Sequence, residues 1–148
     1  MSPFVRYQLP AILYAVLIFV ISSIPTLAPP PIGIEWDDKI YHFLEYGAFG
    51  YLCARAFYYQ GNRVLRDFAL IITLVTGSLY AVSDELHQSL VPGRYADVGD
   101  FLADVVGVIL GVVLFARTRV PWHRARARLE KRREPRSRSV RVVADKRP

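Results

Sequence analysis

The sequence predicts an all-α fold: a bundle of four transmembrane helices, with both termini in the cytoplasm and a disordered basic C-terminal tail. Four apolar runs of 18 to 24 residues support this, because a helix needs about 20 residues to cross a hydrocarbon core of about 30 Å. Within them, Val16–Ile21 and Val105–Phe115 have no polar face, whereas the helices of a soluble bundle carry one along their length. The four runs are Tyr7–Ile24, Ile40–Tyr59, Phe68–Val91 and Asp97–Ala116.

The distribution of charge is the third observation, and it predicts the orientation. Residues 1–116 carry six Lys or Arg and ten Asp or Glu, whereas residues 117–148 carry thirteen and three. Lys and Arg concentrate on the cytoplasmic side of membrane proteins, and here they flank the first run, the second connection and the end of the last run. The first connection is acidic instead. We therefore predict a four-span membrane domain over residues 1–116 and a basic cytoplasmic tail over 117–148.

The first run is predicted to be a retained helix rather than a cleaved signal peptide. Only Arg6 precedes it, and Thr26-Leu27-Ala28 leads directly into three prolines, which is a poor context for cleavage. The segment Ser22–Pro31 contains four prolines. They are predicted to end the helix and begin an extended outer loop.

Turn residues separate the remaining helices. Gln60-Gly61-Asn62 predicts a tight inner turn, and Val91-Pro92-Gly93-Arg94 breaks the chain between the third and fourth helices on the outer side. From Arg117 onward the chain is rich in Arg, Ser, Pro and Glu and poor in aliphatic residues. This composition predicts a tail that is disordered or lies on the membrane surface.

Ionisable residues recur at one depth of the predicted bundle. A rise of about 1.5 Å per residue places His42, Asp84 and Asp100 roughly 25 Å from the cytoplasmic ends of their helices. A charge in hydrocarbon costs roughly 2.5–3.5 kcal/mol on insertion scales, so this coincidence predicts a buried polar site in the outer part of the membrane. The face of the fourth helix that carries Asp100 continues as Gly107 and Gly111, a spacing typical of close helix packing.

This region contains two motifs, D-K-I-Y-H-F-L-E-Y at 38–46 and D-E-L-H-Q at 84–88. They resemble those of the VanZ-like family of small integral membrane proteins. The resemblance implies a bacterial cytoplasmic-membrane protein with a role in the cell envelope or in antibiotic resistance, since the family is named for a protein that lowers susceptibility to teicoplanin. One position departs from the pattern, because Asp104 stands where the family usually has Asn. The matching residues are D-K-I-Y-H-F-L-E-Y at 38–46, D-E-L-H-Q at 84–88, P-G-R at 92–94, Asp100, Gly107 and Gly111.

The leading hypothesis is a site that acts on a lipid-linked or phospholipid-headgroup substrate. Asp84 and Glu85 are predicted to be the acid–base pair, because two carboxyls in different environments can divide the roles of proton donor and acceptor. His42 is predicted to shuttle a proton or to orient a partner. The predicted substrate-binding residues are Lys39 and Arg94 for anionic groups, Asp38 beside Lys39, Gln88 as a hydrogen-bonding positioner, and Asp100, which fixes Arg94 or His42.

Other functions stay open at this point. The main alternative is a non-catalytic protein that binds or shields an envelope precursor or a membrane partner, and a second is a polar network that only holds the helices together. A transporter is less favoured, because Val108–Phe115 in the cytoplasmic half is uniformly apolar and four spans would need a partner, as in a homodimer, to form a pathway.

Cofactors and macromolecular partners follow from similar reasoning. His42, His87 and the nearby carboxylates could ligate a divalent ion, but neither H-x-x-x-H nor H-E-x-x-H occurs, so no metal site is predicted. No cofactor can be named. The basic tail is assigned to membrane lipids rather than to nucleic acid, because it follows a membrane helix and has no interleaved aromatic residues.

Overall fold

Long helices form this protein, and the all-α prediction is confirmed over the described residues. The computed structural model describes residues 1–26, 33 and 36–133, with side chains described as far as residue 119. A π-helical turn, Phe4–Gln8, leads into α1. The α-helices are α1, Leu9–Ser22, α2, Asp37–Tyr58, α3, Arg63–Asp67, α4, Ala69–Gln88, and α5, Val98–Arg133.

Three helices among the described residues are long and apolar enough to cross a membrane. They are Phe4–Ser22, Ala69–Gln88 and Val98–Arg119. Helix α2 has 22 residues, enough for about 33 Å, but it is more polar. It also packs against both α1 and α4, and its glycines meet α5. A helix surrounded in this way exposes little of its surface to lipid, so its polar groups can be satisfied inside the bundle.

Glycines let α2 and α5 approach closely. A β-carbon added at Gly111 would collide with the carbonyl oxygen of Gly47 and the amide nitrogen of Tyr51. One added at Gly107 would collide with the carbonyl oxygen of Phe43. Because all of these neighbours are backbone atoms, no side chain could move aside to make room. The predicted small-residue stripe of the last helix is therefore its contact with α2.

Helix α1 is fixed to the other helices along its length. Ile18 and Tyr46 are fully buried in the shared core. The Tyr80 hydroxyl donates a hydrogen bond of 2.6 Å to the carbonyl of Ala15, which ties α4 to α1. Near the start of the chain, the Tyr7 ring stacks on an aromatic ring at the end of α2, with ring centroids 4.1 Å apart.

Two details differ from the sequence predictions. The predicted turn at 60–62 is followed by α3, whose N-terminus is capped because Asn62 Oδ1 accepts hydrogen bonds from the N–H groups of Val64 and Leu65. The prediction of a disordered tail is wrong for residues 117–133, which continue α5 as a helix. Seven of these seventeen residues are Arg, which is a good helix former. Residues 134–148 and the prolines at 29–31 lie outside the described residues.

Helix packing divides the chain into two units between Ala116 and Arg117. Residues Met1–Ala116 form one unit, and a second unit begins at Arg117. The polar residues of the candidate site belong to the first unit. They lie where the N-terminus of α2, the C-terminus of α4 and the N-terminus of α5 meet, which we call the acidic end.

Candidate functional site

Lys39 joins α2 to the start of α5. Its Nζ lies 2.8 Å from Asp38 Oδ2, 2.7 Å from Asp97 Oδ2 and 2.7 Å from Asp100 Oδ1. Asp97 Oδ1 also accepts a hydrogen bond of 2.7 Å from the N–H of Gly99, which caps α5. The hydrogen bond from the Lys39 ammonium, followed by that N–H, lowers the pKa of Asp97. An ammonium has three donors, so three carboxylates use the full capacity of Lys39.

One turn further along α2, His42 pairs with Asp104 of α5. His42 Nδ1 and Asp104 Oδ1 are 3.0 Å apart, and Asp104 is fully buried. A carboxylate only accepts hydrogen bonds, so Nδ1 carries a proton and donates the hydrogen bond to Asp104. When the ring is neutral, the lone pair is therefore on the other nitrogen, Nε2. That nitrogen lies 3.9 Å from Asp100 Oδ2.

The two neighbouring carboxyls of α4 have different partners. Glu85 Oε2 accepts a hydrogen bond of 2.8 Å from the backbone N–H of Asp97, whereas its Oε1 is buried and has no hydrogen-bond partner in the part of the chain that the structure describes. Asp84 Oδ2 accepts a hydrogen bond of 3.0 Å from Gln88 Nε2. The Gln88 amide oxygen in turn accepts one of 2.8 Å from Arg94. Asp84 therefore positions the guanidinium of Arg94 through Gln88.

A cavity of about 720 Å³ opens beside these groups, and its walls differ in polarity. One wall is apolar, with Leu17 and Ile21 from α1 and Leu44 from α2. The polar part of the lining contains His42 and Arg94 together with several carboxyls. The full lining is Tyr14, Leu17, Ile21, Asp38, Tyr41, His42, Leu44, Glu45, Gln88, Gly93, Arg94, Tyr95, Asp97 and Asp100.

A comparison with protein families matches residues 19–119 to the VanZ/LLP1 model. The chain belongs to the VanZ/LLP1 family. This confirms the resemblance carried by the two motifs, and the apolar helices agree with a membrane protein of that family. Comparisons with curated proteins and with solved structures find no match. The matched VanZ/LLP1 region contains the whole acidic end, but Tyr14 and Leu17 of the apolar wall precede it.

The eight site residues predicted from sequence all lie at the acidic end of this VanZ/LLP1 protein, but they differ in access to the cavity. Three of them do not line it. Lys39 is bonded to three carboxylates, and Asp84 and Glu85 are buried. Asp100 contacts Lys39 and faces His42, whereas Arg94 is bonded to Gln88. The five that line the cavity are Asp38, His42, Gln88, Arg94 and Asp100.

Sequence reasoning missed the α1 wall of the cavity. Tyr14, Leu17 and Ile21 are spaced i, i+3, i+7 and so share one face of the helix. Because the residues around them are equally apolar, no polar residue marks that face as different from one covered by lipid. Tyr95 also lines the cavity. It directly follows the predicted chain break at 91–94, and nothing in the sequence indicated that its side chain would reach the cavity.

Replacing Lys39 with methionine is expected to weaken the packing of α2 against α5. Methionine keeps much of the side-chain volume, but it leaves three carboxylates close together without their shared cation, and like charges repel. The midpoint of thermal unfolding should fall by several degrees, on the order of 5 °C. The deficit should narrow as the pH falls to about 4, because the carboxyls then begin to protonate.

Circular dichroism of the detergent-solubilised protein across this pH range measures the effect. Lys39→Arg is the matched control, since it keeps a cation at the position and should lose less stability. Equal midpoints for wild type and Lys39→Met at every pH would contradict the assignment of Lys39 as the group that neutralises these carboxylates.

Proposed function

We propose that this VanZ/LLP1 protein acts on an amphiphilic envelope substrate, either a lipid-linked precursor or a phospholipid headgroup. The observation that carries the proposal is the cavity, whose lining combines apolar side chains with charged and polar ones. The hydrocarbon part of such a substrate would pack against Leu17 and Ile21, and its phosphate would meet Arg94. A guanidinium matches phosphate oxygens with two parallel hydrogen bonds.

Arg94 is better suited than Lys39 to hold the anionic group. It lines the cavity, and its hydrogen bond goes to an amide oxygen rather than to a carboxylate. Its donors are therefore not neutralised by a negative charge at that contact. Lys39, in contrast, has all three donors on carboxylates. We assign substrate binding to Arg94 and a structural role to Lys39.

His42 is the group in the cavity wall that we assign to the reaction. Asp104 holds its ring and fixes a proton on Nδ1, so in the neutral ring the lone pair of Nε2 lies on the side of Asp100. A neutral imidazole nitrogen accepts a proton readily near pH 7. Asp84, predicted from sequence as part of an acid–base pair, acts here as a positioning residue, since Gln88 lies between it and Arg94.

The proposed topology has four spans, with α2 as the second. An even number of spans puts both termini on one side, and the basic flanks assign that side to the cytoplasm of a bacterial cell. The acidic end then lies at the outer face, where envelope precursors are exposed. This location fits the family's association with teicoplanin, which acts on cell-wall precursors, and extends the proposal to a role in glycopeptide resistance.

A non-catalytic binding or shielding protein is the second candidate. The observation that favours it is the burial of Asp84 and Glu85 outside the cavity lining, which leaves fewer carboxyls in contact with a bound molecule. This candidate uses the same cavity and the same contact with Arg94. It differs in predicting stoichiometric retention of the substrate without conversion.

The number of lipid molecules converted per protein molecule distinguishes the two candidate functions. Purified protein would be reconstituted in vesicles made from a bacterial lipid extract that contains lipid-linked precursors, and each lipid species would be quantified by mass spectrometry over time. We expect one species to be consumed in an amount many times greater than the protein present. Retention of up to one equivalent without conversion would support shielding, and neither conversion nor retention would contradict both.

The Arg94→Gln variant is expected to weaken binding of phosphate-bearing lipids by about tenfold to a hundredfold, because it removes a charge-assisted hydrogen bond. Glutamine can still bond to Gln88, so the local structure should persist. Arg66→Gln is the matched control, since Arg66 is an exposed residue bonded to its neighbour Asp67. Quantified lipid retention on the immobilised protein measures the effect. Equal losses in both variants would show that the binding depends on overall charge rather than on the cavity.

A further inference from the structure

Three side chains from three helices bring ligand atoms together at the acidic end. A ring nitrogen of His42, a carboxylate oxygen of Glu85 and one of Asp100 all lie within 4.8 Å of one another. Within the group, His42 Nε2 and Asp100 Oδ2 are 3.9 Å apart. Ligands that each lie about 2.1 Å from one metal ion are separated by about 3–4 Å. We propose that these three residues bind a divalent metal cation.

Glu85 supplies an independent reason to place a ligand here. The residue is only 7% exposed, and its Oε1 has no hydrogen-bond partner among the described residues. A buried carboxylate oxygen without a partner is costly. A cation bound between Glu85, His42 and Asp100 would offset the cost of burying this carboxylate.

The tautomer of His42 suits a metal ligand. Asp104 accepts a hydrogen bond from Nδ1–H, so in the neutral ring the Nε2 lone pair is available on the side of Asp100. Proteins commonly orient metal-binding histidines in this way, with a carboxylate on the second nitrogen. Asp104 thus becomes the residue that orients the ligand.

The balance of charge also favours a bound cation. Seven carboxyls lie in this region against two permanent cations, Lys39 and Arg94. A second acidic group, Asp38 with Asp97 and Asp100, already encloses the Lys39 ammonium. In the group around Glu85, Asp100 uses Oδ1 for the Lys39 ammonium, whereas its Oδ2 lies on the side of His42. The seven carboxyls are Asp38, Glu45, Asp84, Glu85, Asp97, Asp100 and Asp104.

The ligand chemistry indicates the class of metal. One imidazole and two carboxylates form a mixed nitrogen and oxygen ligand set. This set suits Mn²⁺ or Zn²⁺ better than Mg²⁺ or Ca²⁺, which typically bind oxygen ligands only. His42 and Asp100 line the cavity, so the cation can enter from there and meet a phosphate. This deepens the proposed function, because the Nε2 lone pair then serves as a metal ligand instead of accepting a proton.

Metal binding can be tested without any assay of activity. Tag-free protein in nanodiscs of neutral phosphatidylcholine would be titrated with Mn²⁺, Zn²⁺ or Mg²⁺ and the bound metal counted. We expect one equivalent of Mn²⁺ or Zn²⁺. Glu85→Gln and Asp100→Asn should weaken binding by at least about tenfold, whereas Asp38→Asn should retain it. Absence of saturable binding to the wild type, or equal binding by Glu85→Gln and Asp38→Asn, would overturn the proposal.

A spectroscopic measurement on the folded wild type removes any dependence on variants that fail to fold. Electron spin echo modulation of bound Mn²⁺ should show coupling to one imidazole nitrogen, and this coupling should persist in His87→Gln. A spectrum without nitrogen coupling would overturn the assignment of His42. If metal binds but no lipid is converted or retained, the proposed function fails and the metal site stands. If metal-free protein converts lipid, the metal site fails and the proposed function stands.

Discussion

The His42→Gln variant is expected to convert substrate about 10²- to 10⁴-fold more slowly than wild type. Glutamine has a similar length and still forms hydrogen bonds, but it offers no basic nitrogen. The reaction loses the Nε2 lone pair whether that lone pair accepts a proton or binds a metal ion. Cavity shape and contact with Arg94 should survive, so the variant should still retain the lipid. The measurement is the initial rate of lipid conversion in vesicles, followed by mass spectrometry.

His87→Gln is the matched control for this prediction. His87 Nε2 lies 2.9 Å from Ser23 Oγ, and its ring stacks on Phe19 at a centroid distance of 4.5 Å. It does not line the cavity, so its replacement should leave the rate near that of wild type. If both histidine variants keep the full rate, His42 has no part in the reaction, and binding or shielding becomes the better account.

Gly111→Ala is expected to destabilise the protein by about 3 kcal/mol, since overpacking of a close contact commonly costs 1–3 kcal/mol. A methyl group at this position would collide with backbone atoms of Gly47 and Tyr51 on α2. The only relief is separation of α5 from α2. Because His42 and Asp104 lie on these same two helices, the separation would also disrupt their hydrogen bond.

Equilibrium unfolding by steric trapping in bicelles measures this loss of stability. Gly61→Ala is the control, because a β-carbon added at Gly61 would meet no atom within 4 Å. Its effect should stay within about 0.5 kcal/mol. Similar stability of Gly111→Ala and Gly61→Ala would mean that the contact between α2 and α5 is looser than the structure shows.

Much of the fold follows from helix length and apolar composition, which predict four spanning helices. The long helices are found at α1, α2, α4 and α5, and the three candidate spans cover α1, α4 and the first part of α5. Counting residues along these helices also predicts that His42, Asp84 and Asp100 lie at a common depth, because the rise per residue of a helix is fixed. Both inferences depend only on distances along the helix axes. They need no knowledge of how each helix is rotated.

The pairing of side chains could not be predicted in the same way. Whether Asp100 meets Lys39 or Arg94 depends on the rotation of α5 about its axis, which the contact between Gly111 and α2 determines in three dimensions. Likewise, Asp104 departs from the family pattern, and the sequence gives no partner for it. Its hydrogen bond with His42 becomes evident only once the two helices are packed.

Leu17 and Leu44 line the cavity and are also largely exposed on α1 and α2. Since Leu17 lies within a helix long and apolar enough to cross a membrane, the proposed topology turns its exposed side toward hydrocarbon and gives the cavity an entrance from the lipid phase. For the proposed amphiphilic substrate, we then expect arrival by lateral diffusion within the leaflet. The Michaelis constant of such a protein is a mole fraction in the membrane, so adding inert lipid should slow the reaction, whereas adding buffer should not.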